Sequence, residues 1–220
     1  SLVPESIADP TPHYYTTWAT QGYMPGVGAA NLSVEWIYAH QGGYQMATLN
    51  STNVFGSPDV PGSGWATRFY PKSRASLYFL LDNGWATSDK SSVVNDQFPE
   101  WRGLDPAAKL TAFNKRVTDL GWRGLGLWMH SPTNATEQAI WSKQANITYW
   151  KIDGPDGDCR LADEAKRVHP DLIVEHGYCP VTGCPLNNPT TSAVFDRHDA
   201  GQMLRTLACT DTWRTYDTTP

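Results

Sequence analysis

The sequence predicts an α/β fold on parallel strands. Two architectures fit, a (β/α)8 barrel and an open doubly wound sheet, and three observations favour the barrel. From residue 75 onward, short apolar runs alternate with helix-patterned segments at intervals of roughly 25 to 35 residues, the rhythm of βαβ units. Residues able to touch a ligand close nearly every predicted strand: Trp18, Asp82-Asn83, Trp128 with His130, Asp153, Glu175 and Asp217. Barrel enzymes assemble their sites at that rim from several strands. No strand is followed by GxGxxG, and no GxxxxGK[ST] occurs, so a nucleotide-binding sheet lacks its signature.

Taken in order, a first strand is predicted over 13–18 (HYYTTW). The stretch 22–74 is long, rich in Gly and Pro and without clear period, and reads as an elaborated first crossover. The second strand is 76–81 (SLYFLL). A helix follows over 106–120, with Pro106 at its first position, Leu110, Phe113, Val117 and Leu120 at helical spacing, and Gly121 as its stop. The third strand is 124–129 (GLGLWM), then a short helix near 135–144, then a strand over 147–152 (ITYWKI). A helix over 159–168 is closed by His169-Pro170; a strand at 171–175, a helix near 199–208 and a short strand around 212–215 complete the series. A barrel has eight strands and typically about 250 residues. The 220 residues are therefore expected to form one catalytic barrel domain with about six of the eight units, incomplete at its C-terminal end.

Composition removes several functions. A hydrophobic share of 40% supports a packed core, and charge at 18% of residues is too low and too mixed for a disordered chain. No apolar run reaches membrane-spanning length, so no membrane partner is expected. The net charge is −5 and no Lys/Arg cluster stands out, so neither is nucleic acid. Ten Trp and ten Tyr admit two readings, rings filling a core or rings lining a concave site for flat-faced ligands such as sugars.

The four cysteines, Cys159, Cys179, Cys184 and Cys209, are an even number gathered late in the chain and include no CxxC pair. They suit one or two disulfides with three possible connectivities, with four unrelated buried thiols as the alternative, and the missing CxxC weakens a zinc or thioredoxin-like reading. N-glycosylation sequons stand at Asn31, Asn50, Asn134 and Asn146. Together these point to a secreted protein, or to another oxidising compartment such as a lysosome or periplasm.

The chemistry concentrates in 149–154 (YWKIDG). Strand alternation puts Tyr149, Lys151 and Asp153 on one face. A lysine two residues before an aspartate favours the ionised carboxylate, as a nucleophile requires. Glycoside hydrolysis needs a second acid across the scissile bond, about 5–5.5 Å away for retention and about 6.5–9.5 Å for inversion. Asp211 and Asp217, flanking Trp213-Arg214, are the candidates. The acidic run 153–158 lacks the DxDxDG order of a calcium loop and HExxH is absent, so neither metal nor cofactor is expected.

In their order along the chain these residues resemble the α-galactosidase clan, glycoside hydrolase families twenty-seven and thirty-six. The motifs are Asp82-Asn83-Gly84-Trp85, Phe98-Pro99, the stretch 121–128 (GWRGLGLW), Lys151-Ile152-Asp153, Glu175, and Trp213-Arg214 followed by Asp217. The resemblance covers roughly residues 76–217. It implies a retaining α-glycosidase acting on terminal α-galactosyl or related residues, with Asp153 as nucleophile and Asp217 as acid/base. Asp82, Asn83, Lys151, Glu175 and Arg214 would hold the sugar, Glu175 at its 2-position, and Trp18, Trp85 and Trp128 would wall the site. Two departures stand out. Asn83 occupies a position where the family has an acid, which bears on which sugar is bound. Asp217 follows Arg214 one residue sooner than in family twenty-seven, which keeps Asp211 as the alternative acid/base. A non-catalytic or altered-specificity sugar-binding barrel is the second reading.

Overall fold

The computed structural model describes residues 12–23, 48–86, 97–130, 135–153, 159–177 and 206–214. Six strands form one sheet: β1 (His13–Thr16), β2 (Leu77–Leu81), β3 (Gly124–His130), β4 (Tyr149–Asp153), β5 (Ile173–Gly177) and β6 (Thr212–Arg214). They lie in sequence order and every neighbouring pair is parallel. The helices are α1 (Trp18–Tyr23), α2 (Ser51–Phe55), α3 (Trp65–Arg68), α4 (Pro106–Asp119), α5 (Ala135–Gln144) and α6 (Arg160–Val168).

This overturns the expected (β/α)8 barrel. The sheet is a curled, all-parallel half-barrel, and among the described residues β1 and β6 are its edges and do not pair. Repeated βαβ units make neighbouring strands parallel whether or not the sheet closes. Closure depends on strand number, tilt and shear, which no local pattern carries. The curl is real nonetheless, because the Tyr14 hydroxyl on β1 donates to Glu175 Oε1 on β5 at 3.0 Å, across the concave face.

The strands are apolar on both faces, as parallel strands under helices must be. On the convex face Phe79, Leu81, Leu125, Leu127, Met129, Trp150, Ile152 and Val174 join one core with the helices. Helix α4 starts where Asp105 Oδ1 accepts the Ala108 amide at 2.8 Å, with Pro106 next, and buries Leu110, Phe113 and Val117. Its buried Asn114 ties the layers together. Oδ1 accepts from the Leu125 amide, and Nδ2 donates to the carbonyls of Ala145 and Asn146. Tyr15 packs among Phe69, Phe79 and Trp122, and burial pushes its phenol well above the ordinary tyrosine range. The first predicted strand is shorter than expected: it stops at Thr16, and Trp18 opens α1. Part of the stretch expected to be irregular is ordered into α2 and α3, with Val54, Phe55, Trp65 and Ala66 in the core.

The concave face holds a second cluster, Tyr78, Leu80 and Tyr149, flanked by Tyr14, Trp128 and Ile173. Tyr78 on β2 and Tyr149 on β4 stack at 5.0 Å although β3 runs between them. They meet because β3 presents Gly124 and Gly126 there. A Cβ on Gly126 would sit 3.2 Å from Tyr149 Cδ1 and 3.3 Å from Leu80 Cδ1, whereas one on Gly124 meets Tyr78 Cε1 at an ordinary 3.5 Å. Gly126→Val is therefore expected to cost about 2–3 kcal/mol through overpacking. Gly124→Ala is expected to change stability by about 1 kcal/mol or less in either direction. Equal losses in the two denaturation midpoints would contradict this account.

Of the possible cysteine pairings, the structure forms Cys159–Cys209. Cys159 caps α6 in the left-handed conformation at φ 60°, and Cys209 lies just before β6. Cys179 and Cys184 lie outside the described residues, as does most of the helix predicted near 199–208.

Candidate functional site

Parallel pairing stacks the concave residues in rows. One row runs Trp128, Lys151, Glu175, Thr212 across β3 to β6. The row above it, at the C-terminal ends of the strands, runs His130, Asp153, Gly177, Arg214. Asp153 and Arg214 thus share one register row, with only glycine between them, while Lys151 and Glu175 are neighbours one row below.

Among the described residues, three charged side chains are buried on this face. Asp82, Lys151 and Glu175 are each no more than 3% exposed. Lys151 Nζ lies 3.1 Å from Asp82 Oδ2, so the lysine reaches across β3 to the acid that follows β2. This contact with Asp82 is one that spacing along a single strand does not predict. The same Oδ2 accepts from Thr16 Oγ1 at 3.0 Å, and Oδ1 accepts from the Asn83 amide at 2.8 Å. The Asp82 amide in turn donates to Thr17 Oγ1 at 2.9 Å. Glu175 is held by two phenols: Oε1 accepts from Tyr14, and Oε2 accepts a short hydrogen bond from Tyr149. Such partners are what make buried carboxylates tolerable.

Strand β1 therefore serves both acids, Thr16 to Asp82 and Tyr14 to Glu175. None of Tyr14, Thr16 and Tyr149 was assigned a site role from sequence. The available signal was alternation, since residues 14 and 16 share a face just as 149, 151 and 153 do. What alternation could not show is that a curled sheet brings β1 opposite β5.

The remaining predicted site residues separate into groups. Trp128 lies on the concave face beside the tyrosines. Trp85 does not line that face: it is buried in the helix-side core and donates its indole N–H to the Trp128 carbonyl at 2.7 Å. Trp18 is half-buried at the start of α1. Asn83 is half-buried, and its carbonyl accepts from Gln21 Nε2 at 2.9 Å. Asp153 and Arg214 are located by the backbone, at the ends of β4 and β6. Asp217 lies outside the described residues.

Asp211 is brought to a different place. It precedes β6, three residues below the row of Asp153. Oδ2 accepts from the Val174 amide at 2.7 Å, and its carboxylate pairs with Lys166 of α6 at 2.6 Å. With Lys166, Pro170 and Ile173 it lines a shallow cleft of about 290 Å³ at the N-terminal end of the sheet. That carboxylate staples a helix to a strand edge, on the far side of the sheet from the rim.

The tryptophans also sort themselves. Trp65, Trp85, Trp101, Trp122 and Trp150 are buried in the helix-side core, with Trp141 packed against it. Of the described tryptophans, Trp128 is the one in the concave cluster. Most of the tryptophan excess is thus core, and the concave face is lined mainly by tyrosine. Among the described residues no three His, Cys, Asp or Glu side chains gather as a metal ion would require. His176 faces away from the row of Glu175 and bonds Thr210 Oγ1 through Nδ1. The fold and site together define an α/β protein with a buried acid–lysine–acid constellation below one rim of a parallel sheet. No family model matches the chain, and neither curated proteins nor solved structures yield a match.

Proposed function

We propose that the protein is a retaining α-glycosidase of α-galactosidase type that works at the C-terminal rim of this half-barrel. The observation that supports the reading most is the stacking of rows. Asp153 ends β4 in one row with Arg214, directly above a buried Lys151–Asp82 ion pair and a Glu175 clamped by two tyrosines. Fixed acids below and an acid with an arginine above suit a ligand rich in hydroxyl groups. Carboxylates accept from sugar hydroxyls, and arginine donates to ring and hydroxyl oxygens.

In the first step a carboxylate oxygen of Asp153 attacks the anomeric carbon as the bond to the leaving oxygen breaks, and Asp217 gives that oxygen its proton. In the second, Asp217 takes a proton from water as the water oxygen attacks the same carbon and Asp153 departs. A tetrahedral centre inverted twice keeps its configuration. The test is hydrolysis of an aryl α-galactoside, with the configuration of the first-formed product read by NMR. Wild-type protein is expected to release the α-anomer, and Asp153→Asn to lose about 10⁴-fold or more in rate, since the nucleophile is removed outright. A β-anomer as first product, or an Asp153→Asn variant with ordinary turnover, would refute the mechanism. One observation favours the second reading, a sugar-binding protein without catalysis: the family acid is Asn83 here, and Asp82 already has three partners. Galactose binding by calorimetry without hydrolysis of the activated substrate would select it.

A further inference from the structure

Four Asn-x-Ser/Thr sequons are spread along the chain, and Asn31 and Asn134 lie outside the described residues. The two described sites differ physically. Asn50 is the cap of α2, and its Oδ1 accepts the Asn53 amide at 2.8 Å, so its side chain already has a structural task. Asn146 is exposed, in the turn between α5 and β4, with its backbone in the left-handed region at φ 54°. Both of its backbone groups are engaged. The amide donates to the Lys143 carbonyl at 3.2 Å, and the carbonyl accepts from Asn114 Nδ2 at 3.1 Å. The backbone is held while the side chain is left in solvent.

The turn precedes β4, at the N-terminal end of the sheet, whereas Asp153 ends the same strand at the opposite rim. A bulky substituent on Asn146 would lie a full strand length from the proposed site. The Cys159–Cys209 disulfide is an independent sign of passage through an oxidising compartment, where such substituents are added. We infer that Asn146 carries an N-linked glycan, projecting from the end of the sheet opposite the rim. In the transfer Asn146 Nδ2 bonds to the anomeric carbon of a lipid-diphosphate oligosaccharide. The diphosphate leaves with the bonding electron pair, and the amide gives up one proton. The sequon hydroxyl, Thr148 Oγ1, is bonded to the Tyr78 hydroxyl at 2.9 Å in the folded protein, so transfer precedes folding of this turn. The inference is independent of the catalytic reading.

The full chain, directed to the secretory pathway of a eukaryotic host, provides the test. Trypsin cutting after Lys143 and Lys151 gives the peptide 144–151. Release with peptide N-glycosidase in ¹⁸O-water is expected to convert Asn146 to labelled aspartate in most copies. The variant Asn146→Gly keeps the left-handed backbone without steric cost. It is expected to lose one glycan in intact mass while retaining the parent's melting temperature to within a few degrees. Recovery of unmodified Asn146 from secreted chains with the 159–209 disulfide intact would overturn the inference, as would an intact glycan mass unchanged in Asn146→Gly.

Discussion

Replacing Lys151 with methionine is expected to cost the fold about 3–5 kcal/mol, because it leaves Asp82 buried with no opposite charge in contact. Methionine matches the lysine stem in length and apolar character, so the loss reports the charge and not a cavity. Thr16 and the Asn83 amide would still serve the carboxylate, but neutral donors do not replace an ammonium 3.1 Å away. The decisive measurement is a double-mutant cycle in denaturant. Lys151→Met with Asp82→Leu removes both charges and should recover most of the stability that Lys151→Met alone loses. A single variant that unfolds within about 1 kcal/mol of wild type would mean that the pair is not desolvated as the geometry implies.

Opening the disulfide is the second large effect. Cys159 and Cys209 are 50 residues apart, and closing a loop of that size restricts the unfolded chain by about 4 kcal/mol in the chain-entropy model. Cys159→Ser with Cys209→Ser is thus expected to lower stability by about 2–4 kcal/mol, with the transition shifted and not merely broadened. A refinement follows from the backbone. Cys159 sits at φ 60°, where an L-residue is strained by about 1–2 kcal/mol and glycine is not. Cys159→Gly with Cys209→Ser should therefore recover about 1 kcal/mol of that loss. Identical midpoints for the two double variants would show that the cap conformation is not retained once the bond is gone.

Much of the fold was legible because its signals are local. Pro106, the spacing of Leu110, Phe113, Val117 and Leu120, and the stop at Gly121 bound α4 almost to the residue, since helix ends and one apolar stripe depend only on near neighbours. Helix α6 shows the stripe without a side-chain cap, burying Leu161, Ala162 and Ala165. The strands were recognised but displaced by about two residues in places. The fourth and fifth, predicted to end at Ile152 and Glu175, end at Asp153 and Gly177. A continuous apolar run marks a buried strand without marking its ends.

The site divides in the same way. Alternation along one strand puts Tyr149, Lys151 and Asp153 on one face, because a period of two is a property of the extended chain. The contact across the sheet is not: Lys151 reaches Asp82, which follows β2, two strands away. Glu175 was assigned by resemblance, but its clamp by Tyr14 exists only because the sheet curls enough to bring β1 over β5. The same limit explains Trp85, an aromatic beside an acid motif whose ring turns into the helix-side core.

By itself, then, the sequence determined a repeated strand–helix alternation, a parallel sheet, and which residues share a strand face. These follow from hydrophobic period and backbone geometry within a few residues. Tertiary structure alone decided that the six described strands lie in chain order in a curled half-barrel, that Lys151 pairs with Asp82, and that Asp211 braces α6. It also decided that most tryptophans are core while tyrosines line the hollow. Each of these depends on how far a sheet curls and which distant side chains then meet, and no short stretch of chain carries that information.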